Sequence, residues 1–427
     1  MIKGALVKLD LKTGDGEITL LTNKFDLGSW KGLLPSFGGY RVTGSAKWLL
    51  SCKGNLLQWG TAETMANVTL DDVTILSPSG RGIRKASAHI DLSPLSVHVN
   101  SARFGLGSSS LQMETEIFNL EKNPRGRLEL SSPHLDLFEV LENLKEFRPL
   151  RKKFGRWDAL EENLSRFFPQ PSVFENLSLH LKIEDHKTVL QNLEFEAWGG
   201  KLGFEGEWGG GGEKPDFWVT LRLQDVNLAR YFEERGNQNK ILEGNLFFSG
   251  KFQGKGNQWN ELWPPASGQG SLSITNGEWP SLDLATPLKI LTPLQALATS
   301  HSRSLPFNDL KANWKFKEGK FDTEDLILNT EDYWIEGKGN LLLKGVLNSR
   351  LEIYLSPALT DQVLKSWQAP ETAEGRQLGP IPLLLVGNVA RPEPRIDTQL
   401  AESFLESIRS RKFRRILRKP FLESGKN

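Results

Sequence analysis

The chain has 427 residues, with 53 basic and 52 acidic side chains, 38% hydrophobic residues, 40 glycines, 22 prolines and one cysteine. A net charge of +1 supplies no global field for nucleic acid or acidic partners, and a lone cysteine excludes an intramolecular disulfide and a cysteine-based zinc site. The modest apolar fraction and the many turn formers argue against a large closed core and for an extended sheet with one wet face.

From Met1 to Ser131 the chain reads as short strands. Ile18 and Leu20, Trp48 and Leu50, Leu57 and Trp59, Val68 and Leu70, Ile90 and Leu92, Val97 and Val99, and Leu128 and Leu130 alternate with polar residues, the period of a half-buried strand. Gly14-Asp15-Gly16, Pro78-Ser79-Gly80 and Asn123-Pro124 mark turns. Cys52 sits on one of these strands as a small packing residue. No apolar run near Met1 has the length of a signal peptide or a membrane-spanning helix.

His134–Pro169 changes to a helical period. Leu135, Phe138, Leu141 and Leu144 recur at helical spacing, as do Leu160, Leu164 and Phe167. The basic run Arg148–Lys153 reads as a solvated linker, with a membrane-surface patch as the sharper alternative. Strands return from Pro171, with Leu177, Leu179, Leu181 and Ile183 in unbroken alternation, then Leu193, Phe195 and Ala197, then Phe217, Val219, Leu221 and Leu223. The Gly209–Lys214 run lacks the phosphate-loop pattern and is read as a hairpin connection.

Between Gly268 and Leu355 the order is strand, turn at Asn276-Gly277, helical insertion over 281–300, and a run of hairpins. Thr286-Pro287 and Thr292-Pro293 each place an N-cap before a proline. Trp314 and Phe316 alternate with lysines, Glu318-Gly319 turns the chain, and Leu326, Leu328, Leu351, Ile353 and Leu355 continue the apolar face. Gly337-Lys338-Gly339 is read as a hairpin. Ala358–Trp367 is a short helix and Pro382–Val386 a last apolar strand.

Asp397–Lys419 reads as a helix with Leu400, Phe404, Leu405 and Ile408 as its stripe. Its second half holds seven basic residues between Arg409 and Lys419 and no acidic one. Phe413, Ile416 and Leu417 fall opposite Arg411, Arg414, Arg415 and Arg418, a pattern suited either to an anionic membrane surface or to docking on the protein's end.

The six histidines stand apart, none paired at metal-ligand spacing on one helix, and no nucleophile elbow or cysteine–histidine arrangement is present. The reading is of a non-enzyme with no cofactor and no metal.

One stretch resembles a known family. Gly268, Gly270, Leu272, Ile274 and Gly277 form G-x-G-x-L-x-I-x-x-G. A helical insertion follows, then P-F-x-x-L at Pro306, Phe307 and Leu310, and a G-x-G at Gly337 and Gly339 before a hydrophobic strand. Their order resembles the C-terminal region of AsmA-like proteins over Pro171 to about Pro394. AsmA-like proteins are similar to bridge-like lipid-transfer proteins, whose long curled sheets carry an apolar groove. The resemblance implies a bacterial periplasmic protein associated with the inner membrane. Its relatives usually begin with one membrane helix, which this sequence does not show near Met1.

The expected fold is therefore mainly β: a long, twisted, mostly antiparallel sheet curled into an open trough, with a few short helices and a C-terminal amphipathic helix. Its parts are expected at 1–133, 134–170 (helical insertion), 171–396 (AsmA-like, with the insertion at 281–300) and 397–427 (basic amphipathic helix and tail). The groove is expected to be lined by Leu177, Leu179, Leu181, Ile183, Phe195, Val219, Leu221, Leu223, Phe316, Leu326, Leu328, Leu351, Ile353 and Leu355. The expected partners are phospholipid or another acyl lipid, a membrane surface and an envelope protein, with no nucleic acid. The alternative is an assembly factor for outer-membrane proteins that holds a partner's segment in the same groove. A transmembrane β-barrel fits less well, since charges occupy the alternate faces and no regular aromatic girdle is present.

Overall fold

The computed structural model describes residues 2–10, 13, 15–29, 39–55, 63–119, 123–145, 168, 172–184, 187–209, 215–236, 241–256, 265–290, 304–369, 374–410 and 415–418. Among them, 21 strands form one antiparallel sheet that does not close into a barrel, and two further short strands pair separately. The chain divides into two compact units, Met1–Ala197 with Lys201–Val219 and Trp198–Gly200 with Thr220–Asn427.

The first unit is a meander. It contains β1 (Ile2–Leu9), β2 (Asp15–Thr22), β3 (Phe25–Asp26), β4 (Arg41–Asn55), β5 (Glu63–Leu76), β6 (Gly82–Leu92), β7 (Ser96–Leu106), β8 (Ser109–Phe118), β9 (Arg125–Asp136), α1 (Leu137–Lys145), β10 (Val173–Glu184), β11 (Lys187–Ala197) and β12 (Gly200–Gly209). β1 pairs with β2 and β2 with β4; from β4 to β11 each strand pairs with the next, while β3 adds to β4. Sequential antiparallel pairing needs only short turns, which the glycine and asparagine content supplies. Trp198 and Gly199 both take positive φ, the two-residue turn that matches strand twist.

α1 covers one end of this unit. Its helix starts at Leu137, later than the periodicity placed it, because Leu135 pairs with Phe174 as strand. The Asp136 carboxylate accepts from the Glu139 N–H (2.9 Å) and caps the first turn. Val140 and Leu141 are buried, and the helix packs on β6, β7 and β9. Asn143, also buried, accepts from the Gly82 N–H (2.8 Å) and donates to the Glu139 carbonyl (2.7 Å). The rest of the expected helical region, with Leu160, Leu164 and Phe167, lies outside the described residues.

The second unit starts within β13 (Asp216–Asn227), followed by α2 (Leu228–Glu234), β14 (Glu243–Lys255), β15 (Ser267–Trp279), α3 (Ala285–Ile290), β16 (Leu305–Lys317), β17 (Lys320–Asn329), β18 (Tyr333–Leu342), β19 (Val346–Leu355), α4 (Pro357–Ser366), β20 (Gln377–Leu378), β21 (Ile381–Asn388), β22 (Arg391–Ile396), α5 (Thr398–Arg409) and β23 (Leu417–Arg418). β14 to β19 again pair in sequence, then β19 with β21 and β21 with β22, while β20 pairs with β23.

Three local expectations are corrected. Asn276-Gly277 is not a turn: Asn276 takes φ +49° inside β15, where the register slips against β14, so its left-handed residue forms a bulge. Gly337–Gly339 is not a hairpin but the middle of β18, and the strand after Pro382–Val386, β22, was not anticipated. The tail is not one helix to Lys419: α5 stops at its cap, Ser410, and Leu417–Arg418 is strand. By contrast Glu318-Gly319 is the expected two-residue turn, both residues at positive φ between β16 and β17. Cys52 is a buried free thiol packed on Ile18.

Candidate functional site

Residues paired directly across antiparallel strands share a face of the sheet, so the registers trace each face of the first unit. One row runs Ala5, Leu20, Leu50, Ala66, Leu92, Val97, Ile117, Gly126 and Ile183. Beside it run Trp48, Val68, Ile90, Val99, Thr115, Leu128, Leu181 and Leu190, then Ala102, Met113, Leu130, Leu179 and Leu193. Apart from buried Val99 and Ala102, these apolar side chains are half-buried or exposed. The other face is mostly polar, with Asn67, Asp91, His98, Glu116, Arg127 and Lys182 in one paired row that continues on β4 and β2 into Leu49 and Leu21. Asn67 donates to Asp91 (2.6 Å), and Arg127 lies 3.6 Å from Glu116.

Toward α1 the same face becomes closed. Leu106, Leu111, Leu135, Phe174, Leu177 and Phe195 are buried. Phe174 stacks on Phe195 with ring centroids 4.3 Å apart, and Phe168 packs edge-on against Phe174 (5.2 Å). The Ser108 hydroxyl and N–H both donate to the Glu139 carboxylate (2.5 and 2.7 Å) and hold its pKa below the ordinary range, clamping α1 to the β7–β8 turn. The face is thus sealed at one end of its strands and half-open at the other.

The second unit places the same periodicity differently. Leu246, Ile274, Leu310, Leu328, Ile335, Ile353 and Ile381 form one paired row, and it is core. Leu282 and Leu284, Leu288 of α3, Val363 and Leu364 of α4, Phe404 of α5 and Ile416 close over it. Leu351, Ile353 and Leu355 are 5%, 0% and 0% exposed. Thr360 is a fully buried polar group here; its hydroxyl accepts from the Leu378 N–H (2.9 Å).

The glycine motif has a packing cause. A Cβ on Gly250 or Gly270 would lie 2.4 or 2.5 Å from the Trp314 indole, and one on Gly268 2.7 Å from the Phe252 ring. Trp314 stacks on Phe248 and Phe252, each at 5.2 Å, and Phe316 and Phe321 complete the cluster. Missing side chains on β14 and β15 make the bed for rings from β16.

The candidate residues therefore separate. Leu179, Leu181 and Ile183 lie on the half-open face, and Val219, Leu221 and Leu223 are half-buried on β13. Leu177 and Phe195 belong to the closed end near α1. Leu328, Leu351, Ile353 and Leu355 are sealed core with Leu326 packed against them, and Phe316 is buried in the aromatic cluster; none of these lines an open groove. Sequence reasoning missed Val97, Ile117, Leu128, Leu130, Leu190 and Leu193 as members of the face. Their alternation was visible, but only the register shows that they align with β10.

Of the basic tail, Arg411, Phe413 and Arg414 lie outside the described residues. Arg415 is exposed. Ile416 is buried, and Leu417 packs against the core. Arg418 donates to Glu336 (3.0 Å) and sits over the Tyr354 ring, 5.1 Å from its centroid. The Tyr354 hydroxyl donates to Glu352 (2.9 Å), and burial, reinforced by that bond, pushes its pKa up. This segment is docked on the sheet, so Ile416, Leu417 and Arg418 are not on a membrane-facing helix.

Among the described residues no group of three or more His, Cys, Asp or Glu side chains could hold a metal, and no helix is long and apolar enough to cross a membrane. Fold and face together define a class: an unclosed antiparallel sheet with one polar face and one apolar face that is only partly covered. Residues 152–326 match the model of the AsmA family, so the chain carries an AsmA-like region, which begins before β10 and ends within β17. No curated protein and no solved structure matches the chain.

Proposed function

We propose that the chain is a non-enzymatic lipid-binding protein of the bacterial envelope, which holds phospholipid acyl chains against the apolar face of β4–β11 and passes them between membranes. The single observation that carries this reading is the set of paired apolar rows, half-exposed on one face and backed by a charged face. Such a surface is costly in water, and an acyl chain laid on it gains about 0.8 kcal/mol per CH₂ buried. The AsmA-like region over 152–326 supports an envelope role. No site chemistry is required, because the contact is non-directional and a chain can slide along it.

The test is photo-crosslinking from position 128 or 190, the paired neighbours of Leu181, with and without Leu181→Asp. A carboxylate there cannot be solvated by acyl chains. The expected result is copurified phospholipid crosslinked to the parent chain and a severalfold loss in the variant, with circular dichroism unchanged. Equal crosslinking in a folded variant, or a stoichiometric protein occupying the face instead of lipid, would sink the proposal.

A further inference from the structure

The half-open end of the first unit carries apolar residues that the acyl-chain face does not explain. At this end, opposite α1, lie the start of β5, the β6–β7 turn, the end of β8 and the end of β12. Each presents a large apolar side chain to solvent: Met65 (59% exposed), Leu95 (51%), Phe118 (45%) and Trp208 (42%), beside Leu92 (38%), which belongs to the outermost row of the acyl-chain face. At the α1 end of the unit, Val173 is the one described residue of this kind. Leu6 and Val7 within β1 and Trp48 and Leu49 within β4 are exposed as well, but at the strand ends exposure is concentrated on one rim.

The residues at these positions are not demanded by the turns. Ser93 and Ser96 close the β6–β7 turn by themselves: the Ser93 N–H donates to the Ser96 carbonyl (2.9 Å), and the two hydroxyls lie 2.7 Å apart. The tip residue Leu95 could be any polar turn former, and turns favour glycine, asparagine and aspartate. Ser96 pairs with Phe118 on the adjacent strand, so Leu95 and Phe118 belong to neighbouring tips. Asn119, directly after Phe118, takes φ +55°.

We infer that this rim is a membrane-docking edge, whose apolar tips insert into the interface of a phospholipid bilayer. Single apolar side chains on the ends of β5 to β8 and, past the charged ends of β9 to β11, on the end of β12 make a poor continuous patch for a protein partner, whose interface needs a packed core. They suit a planar, fluid acceptor that seats each tip independently. The charges at this rim are mixed. Arg125 and Lys187 lie along it together with Glu63 and Glu184, all exposed. The docking is therefore driven by insertion and not by lipid charge. It places the bilayer where the apolar face opens, and it relies on the lipid-binding reading only for the choice of partner.

The experiment is flotation of the purified chain with neutral phosphatidylcholine vesicles at low and high salt. The parent chain is expected to float with them at both. Leu95→Ser with Phe118→Ser is expected to lower partitioning about tenfold, the loss of roughly one buried side chain's transfer energy. Val173→Ser, at the opposite end, is expected to leave it unchanged. Circular dichroism and thermal melting check that the variants are folded. No flotation with neutral vesicles, binding confined to anionic vesicles and lost in salt, or an unaffected double variant would each overturn the inference. The double serine variant should also keep lipid crosslinking beside Leu181. Loss of crosslinking only in Leu181→Asp, and of flotation only in the serine variant, separates the two readings.

Discussion

Strand β10 of the first unit and strand β19 of the second carry the same alternation, and their apolar residues meet opposite fates. Leu179, Leu181 and Ile183 remain half-buried, while Leu351, Ile353 and Leu355 are removed from water. The strands do not differ in propensity or period. They differ in cover: α3, α4, α5 and the docked Ile416–Leu417 close over β19, whereas α1 covers only one end of β6–β9. The second unit has thus spent its apolar face on its own stability, and the first keeps part of its face for a ligand. An alternating strand shows that a face is apolar; whether that face is core or groove depends on what packs upon it.

The largest effect that tests this contrast comes from Ile353→Asp against Leu181→Asp. Ile353 has no route to water, so an uncompensated carboxylate there is expected to unfold the second unit; even Ile353→Ala should cost about 2–5 kcal/mol. Leu181→Asp should cost about 1–2 kcal/mol, since its side chain already meets solvent. Urea titration of both variants measures the difference. Equal destabilisation would erase the distinction between core and groove.

A second test bears on how the second unit fills its face. Gly270→Val would set a Cβ 2.0 Å from the Ser249 carbonyl and 2.5 Å from Trp314. Repacking rings held on two neighbouring strands is expected to cost about 2–3 kcal/mol, seen as a lower melting temperature and lost tryptophan near-ultraviolet dichroism. Unchanged signals would show that the aromatic cluster does not depend on the glycine bed.

The smallest expected effect concerns α1, the partial cover of the first unit. Glu139 titrates below its ordinary 4.5 because Ser108 donates twice to its carboxylate. A depressed carboxylate contributes stability that is complete above pH 4.5 and is lost as pH falls through the folded-state pKa. Glu139→Gln should therefore cost about 1 kcal/mol or less at pH 7, with the gap to the parent closing as the pH drops below 4.5. Urea titrations at the two pH values measure it, and a gap that stays constant would mean that the carboxylate does not hold the helix.

Much of this was legible in the chain itself. Period-two alternation from Ile18 to Leu355 fixed the strands, because a pleated backbone sends successive side chains to opposite faces whatever its neighbours do. The order of the glycine motif, Pro306-Phe307 and Gly337–Gly339 pointed to an AsmA-like region, and Gly268, Gly270 and Gly277 proved to be room for rings on the neighbouring strands. Short-range signals failed where long-range pairing decided. Asn276-Gly277 has the chemistry of a turn, but β16 continues its hydrogen bonding past it, so the chain bulges instead of reversing. The basic tail had a helical stripe, yet Gln377–Leu378 offered Leu417–Arg418 a strand partner, and Glu336 with Tyr354 took up Arg418. The sequence by itself determined that one face of the sheet is apolar and the other polar, since that follows from side-chain order along each strand. Only the tertiary structure decided which stretch of that face is core and which is open, because covering helices reach it from residues far along the chain, and no local period encodes where they land.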